Sequence, residues 1–177
     1  MSPELEKILL TIATPQDIPA LLPLVNSAYR GEPSRRGWTT EADFLTGDIR
    51  TDADDMAALM ARPDAVILQA TDAEGALIGC VFLEKRGERL YLGMLSVWPE
   101  LQGKGIGKAL LQGAEQRAET LGCRAVFMRV LSPRHELLAW YERQGYHPTG
   151  EREPYNAPPK YGVPQVPLDF VLLEKAL

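Results

Sequence analysis

Residues 102–111 read QGKGIGKALL: three glycines at alternate positions, lysines beside them, and an apolar run behind. The stretch stands between an alternating apolar segment, RLYLGMLSVW (89–98), and a helical pattern that runs to Leu121-Gly122. A turn that feeds a helix N-terminus presents backbone N–H groups with no intrahelical acceptor and a partial positive charge, which together make a seat for an anion. Glycine removes the Cβ and permits positive φ, so the backbone can close on a phosphate. Spacing excludes two phosphate loops. A P-loop needs GxxxxGK and then Ser or Thr, but five residues beyond Gly103 stands Lys108; the dinucleotide fingerprint needs GxGxxG, but Gly103, Gly105 and Gly107 form GxGxG.

Outward from this loop the chain reads as alternating elements. Apolar alternation over 7–13 predicts a strand, and Thr14-Pro15 opens a helix to about Tyr29 that buries Ile18, Leu21, Leu22 and Val25. The stretch RGEPSRRGW (30–38) breaks the pattern. Capping-box spacing at Thr40–Asp43 and at Thr51–Asp54 predicts two short helices before Pro63. AVILQA (65–70) and LIGCVFLEK (77–85) read as a hairpin, and a turn at Arg86-Gly87-Glu88 leads into the strand 89–98. Beyond the glycines come a helix, a strand at 124–131, a helix from Pro133 to about Gln144 with Ser132 as its N-cap, a stretch holding five prolines between Pro154 and Pro167, and a last strand in LDFVLLEKA (168–176). With no repeat or linker, this order predicts one α/β domain over 1–177 with a mixed, mainly antiparallel sheet.

Composition narrows the function classes. The 177 residues are 45% hydrophobic and 24% charged, with a net charge of −5, so general attraction to nucleic acid or to an anionic membrane is not expected. The first residues, MSPELEKILLTI, carry Glu4, Glu6 and Lys7 around a short apolar run, too charged for a signal peptide or a membrane span. Cys80 and Cys123 lie far apart in apolar stretches and read as buried free thiols of a reducing compartment; a cytoplasmic protein is expected. His135 and His147 stand apart from each other and from any ligand-spaced cysteine, so no metal site is predicted.

The pattern Q-x-x-G-x-G from Gln102 through Gly105 to Gly107, behind LGMLSVWPEL (92–101), resembles the acyl-CoA pyrophosphate loop of the GNAT superfamily of N-acetyltransferases. The segment SPRHELLAWYERQGY (132–146) is similar to that family's second CoA-contacting segment, in which a tyrosine precedes a Gly-aromatic pair by four residues; Tyr141, Gly145 and Tyr146 match in order and spacing. The two segments cover Leu90 to Tyr146, about a third of the chain. The resemblance implies a GNAT-like sheet of about seven strands, flanked by helices and splayed between the fourth and fifth strands. It also implies acetyl-CoA as cosubstrate, held by Gln102, Gly103, Lys104, Gly105, Ile106, Gly107 and Lys108, with the backbone of Leu95, Ser96 and Val97 pairing with the pantetheine arm. Where the family often has an asparagine, seven residues before the tyrosine, this chain has Arg134, whose guanidinium is expected at a CoA phosphate.

The chemistry then sets the catalytic demands. An amine of pKa near 10.4 is neutral in only about one molecule in a few thousand at pH 7, so a base or a water chain must take a proton, an oxyanion needs a donor, and the departing thiolate benefits from an acid. The resemblance assigns the acid to Tyr141, whose spacing from Leu137 and Leu138 equally suits a core position. The family's frequent base position on the fourth strand falls on Tyr91; Glu84 on the preceding strand is the candidate base, with Glu32 and Glu41 behind it. The acceptor, a small-molecule or peptide amine, is expected against residues 29–38, including Trp38, and under the proline-rich stretch with Tyr155 and Tyr161. A homodimer is a further expectation, since dimers are common in this fold. The rival readings are a CoA-binding module without turnover and a nucleotide-binding protein.

Overall fold

The computed structural model describes residues 7–177; the charged start of the chain, with Glu4 and Glu6, lies outside them. A seven-stranded sheet is ordered β1-β2-β3-β4-β5-β7-β6. Strand β1 (Leu9–Ile12) is a short edge strand antiparallel to β2 (Ala65–Thr71), and β2, β3 (Leu77–Arg86) and β4 (Arg89–Val97) form an antiparallel meander. Helix α4 (Ile106–Thr120) carries the chain over to β5 (Ala125–Leu131), which runs parallel to β4, as a crossover helix must allow. Helix α5 (His135–Arg143) follows, then β6 (His147–Pro154) on the far edge and β7 (Asp169–Ala176) between β5 and β6. Every residue of β6 is exposed, and its proline and charged side chains show no apolar alternation, as expected for an edge strand.

The two sheet faces are covered by different helices. On one face α1 (Ile18–Tyr29) buries Ile18, Leu21, Leu24 and Val25 against Ile67, Cys80, Phe82 and Met94. At 100° per residue the centre of that stripe falls between Leu21 and Val25, which leaves Leu22 at the margin, only partly buried, and brings Leu24 inside. On the other face α4 and α5 cover Val81, Leu83, Leu90, Leu92, Val126 and Met128. Gly113 permits this contact: a Cβ there would stand 2.5 Å from Cδ1 of Leu10, so α4 lies directly on β1. Cys80 and Cys123 are buried and free; burial pushes the Cys80 thiol up to about 12, against a weaker opposing hydrogen bond with Ser96, which keeps it protonated.

The stretch after α1, which breaks the pattern in the sequence, holds a single helical turn, α2 (Gly31–Ser34). The connections differ from the sequence expectations in two places. Of the two short helices expected before Pro63 only α3 (Ala53–Met60) forms, and its N-cap is Asp52, whose carboxylate accepts the Asp55 N–H at 2.8 Å, rather than Thr51. Residues 40–43 stay non-helical because Glu41 is drawn inward to two arginines, as described below, while the Thr40 hydroxyl caps only a local turn by accepting the Ala42 N–H. Helix α5 begins at His135 and not at Pro133; the Ser132 hydroxyl donates to Asp169 at 2.6 Å, tying the helix entry to β7. No helix among the described residues is long and apolar enough to cross a membrane, and no group of metal-ligating side chains is found among them.

Candidate active site

Strands β4 and β5 pair through three residues only, Arg89–Tyr91 against Ala125–Phe127, and then diverge. The rest of β4 remains paired with β3 but has no strand on its other side among the described residues. A bulge then alters its register: Phe82 stands opposite Gly93 and Cys80 opposite Ser96, so β4 spends one extra residue. Met94 absorbs it with a φ of +52°, the single positive φ of a non-glycine residue among those described. Because side chains alternate, one extra residue switches the faces: Leu90 and Leu92 point to the α4 side before the bulge, Leu95 and Val97 after it. The buried Ser96 hydroxyl donates to the Met94 carbonyl at 2.9 Å and holds the bulge closed.

Two cavities meet at this wedge. One, of about 390 Å³, runs from Leu95 and Val97 along the α4 N-terminus to Trp38, Trp140 and Arg143. The other, of about 330 Å³, opens on the far side, between Tyr91, Arg50 and the segment Tyr155–Pro158 with Tyr161. Tyr29, Leu95, Arg134, Leu137 and Tyr141 border both.

The glycine loop closes the first cavity. Gly103 (φ +80°) and Gly105 (φ +89°) both need the left-handed region, and Gly105 is the N-cap of α4 without any side-chain cap. The first intrahelical bond is donated by Ala109 to Gly105 at 3.0 Å, which leaves the N–H groups of Ile106, Gly107 and Lys108 at a helix terminus that attracts negative charge. The cavity wall is bare where a phosphate would approach: a Cβ on Gly107 would meet nothing closer than the Trp140 ring at 3.8 Å. These features fit the pyrophosphate of a CoA thioester.

The sequence profile of the acetyltransferase (GNAT) family matches residues 24–146. The chain belongs to that family. It is an N-acetyltransferase of the GNAT fold, and solved structures share its architecture at low identity. An N-acetyltransferase from Thermoplasma acidophilum, in complex with coenzyme A, superposes with a TM-score of 0.72 at 20% identity, covering 97% of this chain and 99% of the other. A GCN5-related N-acetyltransferase from Kribbella flavida gives 0.69 at 19% identity, over 97% and 99%.

Of the residues expected at the donor, this acetyltransferase gathers Leu95, Val97, Gln102, Gly103, Gly105, Ile106, Gly107, Lys108 and Arg134 around the first cavity together with Tyr141. Lys104 is exposed outside the lining, and Ser96 is buried behind it. Gln102 acts as a strap: its side-chain amide donates to the Val97 carbonyl at 3.2 Å and accepts the Trp38 N–H at 3.0 Å. It thus ties the segment before α3 to the glycine loop. Arg134 is engaged away from the phosphate loop. It lies 4% exposed, donates to Glu41 at 3.0 Å and to the Thr39 hydroxyl at 2.9 Å, and leaves its Nε without a partner among the described residues. Glu41, also 6% exposed, receives Arg30 on its other oxygen at 3.1 Å. Two buried guanidinium groups on one carboxylate, with Arg30 also bonded to the Ile49 and Tyr161 carbonyls, knit α1, α5 and the 159–161 turn around the wedge.

Tyr141 sits on the inward stripe of α5, 4% exposed, in edge contact with Trp140 and Tyr146, yet it borders both cavities. Core position and site position coincide. Burial raises its phenol well above the ordinary tyrosine range, with the neighbouring Tyr29 adding to this and Arg134 opposing it, so it carries its proton at neutral pH. Glu84 lines neither cavity. It pairs with Arg86 at 2.7 Å and Arg62 at 3.2 Å at the end of β3, and although burial pushes its carboxyl up, those two cations outweigh it and hold the group below the usual range. Glu32 is on the surface, paired with Arg35. Tyr29, Arg50, Asp55 and Arg129, which line the second cavity, carry no motif; they come from four separate segments, and only the fold assembles them.

Proposed function

We propose that the protein transfers an acetyl group from acetyl-CoA directly to a primary amine, with the donor in the Leu95–Lys108 cavity and the amine entering from the Tyr91–Tyr155 side. The observation that carries this reading is the meeting of the two cavities at Leu95 and Tyr141, where β4 and β5 have parted. Bound acetyl-CoA supplies the thioester. The N–H groups of Ile106 to Lys108 hold its pyrophosphate, and the unpaired edge of β4 at Leu95 offers a backbone donor to the thioester carbonyl. Leu137, at the junction, and Val130, in the acceptor-side cavity, add apolar side chains to the lining.

Protons balance through two residues. The cationic amine releases one proton before attack and one after the N–C bond forms, while the sulfur takes one as the C–S bond breaks. Tyr141, protonated and with no hydrogen-bond partner among the described residues, donates to the sulfur; the cavity that raises the phenol also desolvates the thiolate, so the two proton affinities rise together. On the acceptor side Glu41 is locked between arginines, and Asp55 is the lining carboxylate without a cation partner among the described residues; its Oδ2 takes only the Thr51 hydroxyl, at 3.1 Å. Asp55 receives the amine's first proton, and the second, released once the N–C bond has formed, returns to the Tyr141 oxygen and restores the phenol. Asp55→Asn is expected to slow acetyl transfer about tenfold at pH 7 and less at pH 9, where roughly a hundred times more of the amine is already neutral; an equal effect at both pH values would remove Asp55 from the proton path.

The test of the whole reading is calorimetric titration with acetyl-CoA, CoA, ATP and NAD, followed by steady-state release of free CoA across an amine panel. Binding of acetyl-CoA and CoA in preference to the nucleotides, with amine-dependent CoA release, is expected. A folded protein that does not bind acetyl-CoA would sink the donor assignment; binding without release by any amine would sink the transfer.

A further inference from the structure

The acceptor cavity carries a sign opposite to that of the chain. The protein has a net charge of −5, yet four arginines line this cavity against the carboxylates of Glu41 and Asp55. Arg30 and Arg134 share Glu41, and Arg129 is paired from outside the lining by Glu153 at 3.4 Å. Counting Glu153 as well, one positive charge remains in excess. Arg50 stands apart from the others: among the described residues its guanidinium has neither an ion pair nor a hydrogen bond, only the face of the Tyr29 ring, 5.3 Å from its centroid.

The position of Arg50 is built into the fold. The Asn26 side chain, on α1, accepts the Arg50 N–H at 2.7 Å and the Thr51 N–H at 3.0 Å, and donates to the Thr51 carbonyl at 3.2 Å. Asn26 follows the fully buried Leu24 and Val25, so the backbone of Arg50 is anchored to the core. Tyr155 lines the same cavity, and its buried hydroxyl has no hydrogen-bond partner among the described residues. A guanidinium with five donors and a phenol with one thus border a single space, and an oxyanion would satisfy both.

We propose that the acceptor is a small amino acid, bound through its carboxylate by Arg50 with the Tyr155 hydroxyl beside it, so that its amine faces Leu95 and Tyr141. The inference rests on the N-acetyl transfer proposed above and narrows its substrate class. Charge selects it. The reactive form, neutral amine plus carboxylate, brings one negative charge to a cavity with one positive charge in excess, whereas the reactive form of a simple alkylamine brings none and that of a polyamine still brings positive charge. The chemistry is that of amide formation at the amine; the carboxylate is a handle and takes no part in bond making.

The experiment compares the standard amino acids with their carboxamides and their decarboxylated amines as acceptors, in the wild-type protein and in Arg50→Gln and Arg50→Lys. The wild type should prefer at least one amino acid over its carboxamide. That ratio of kcat/KM should fall roughly 10- to 100-fold in Arg50→Gln, and less in Arg50→Lys, which keeps the charge but not the fork. Taking the ratio within each variant cancels the different basicities of acid and amide amines. Acetylation of amides or simple amines but of no amino acid would overturn the carboxylate assignment while leaving N-acetyl transfer intact. An unchanged ratio in Arg50→Gln would overturn the role of Arg50. Absence of turnover with every amine, acetyl-CoA still binding, would instead overturn the transfer reading and this inference with it.

Discussion

Gly105→Glu should fold and fail to bind acetyl-CoA. Gly105 sits at φ +89° as the N-cap of α4, and a non-glycine residue there pays about 1–2 kcal/mol of backbone strain, well within the 5–15 kcal/mol of a typical domain. The carboxylate does more than strain the turn. It brings a negative charge to the terminus where the N–H groups of Ile106, Gly107 and Lys108 await an anion, so it repels a pyrophosphate and competes for the same donors. A loss of at least about 100-fold in affinity, about 2.7 kcal/mol, is expected by calorimetry. Gly105→Ala carries the same backbone strain without the charge and should retain most of the binding. Equal affinity in wild type and Gly105→Glu would mean that the donor does not sit on this terminus.

Tyr141→Phe should lower kcat by roughly 10²- to 10⁴-fold with little change in acetyl-CoA affinity. The ring packs between Trp140 and Tyr146, so phenylalanine preserves the contacts, and the missing hydroxyl had no hydrogen-bond partner among the described residues to leave behind. A melting temperature close to wild type should therefore accompany the loss of turnover. The pH dependence has a stated sign. With burial raising the phenol well above 10, Tyr141 stays protonated in the folded protein past the point where a free tyrosine ionises, so wild-type kcat should show no decline from this group up to about pH 10. A Tyr141→Phe protein with wild-type kcat would remove the acid from the mechanism.

The half of the proposed site that would hold the donor is legible in the sequence because its signals are local. Alternate glycines at 103, 105 and 107 mark a turn and a helix start wherever the rest of the chain goes, and the spacing of Leu137, Leu138 and Tyr141 marks one helical face. The acceptor half depends on register and on distant partners. Nothing in RLYLGMLSVW announces that Met94 takes a positive φ and exchanges the faces of β4, because the bulge is visible only against β3. The helix expected at residues 40–43 yields to the pull of Arg30 and Arg134 on Glu41, a tertiary contact that local capping rules do not see. Glu84 shows the same gap from the other side: its place on β3 is as read, but it pairs with Arg86 two residues along the same strand and with Arg62 from the segment before β2, and it lines neither cavity. Arg50 has no motif at all, and only the fold shows that its guanidinium is left uncommitted among the described residues.

The parting of β4 and β5 has an energetic meaning beyond the space it provides. Below the wedge the two strands are not separated in their packing: Leu90, Leu92, Val126, Met128 and Val130 belong to one apolar cluster under α4 and α5. The gap is therefore propped by side chains already fixed in the core, and the Arg30–Glu41–Arg134 bridge braces its rim. Substrates entering such a gap do not have to pry strands apart or order the backbone that receives them. The entropy of arranging the reaction centre has been spent when the chain folds, so more of the intrinsic binding energy remains to align amine and thioester.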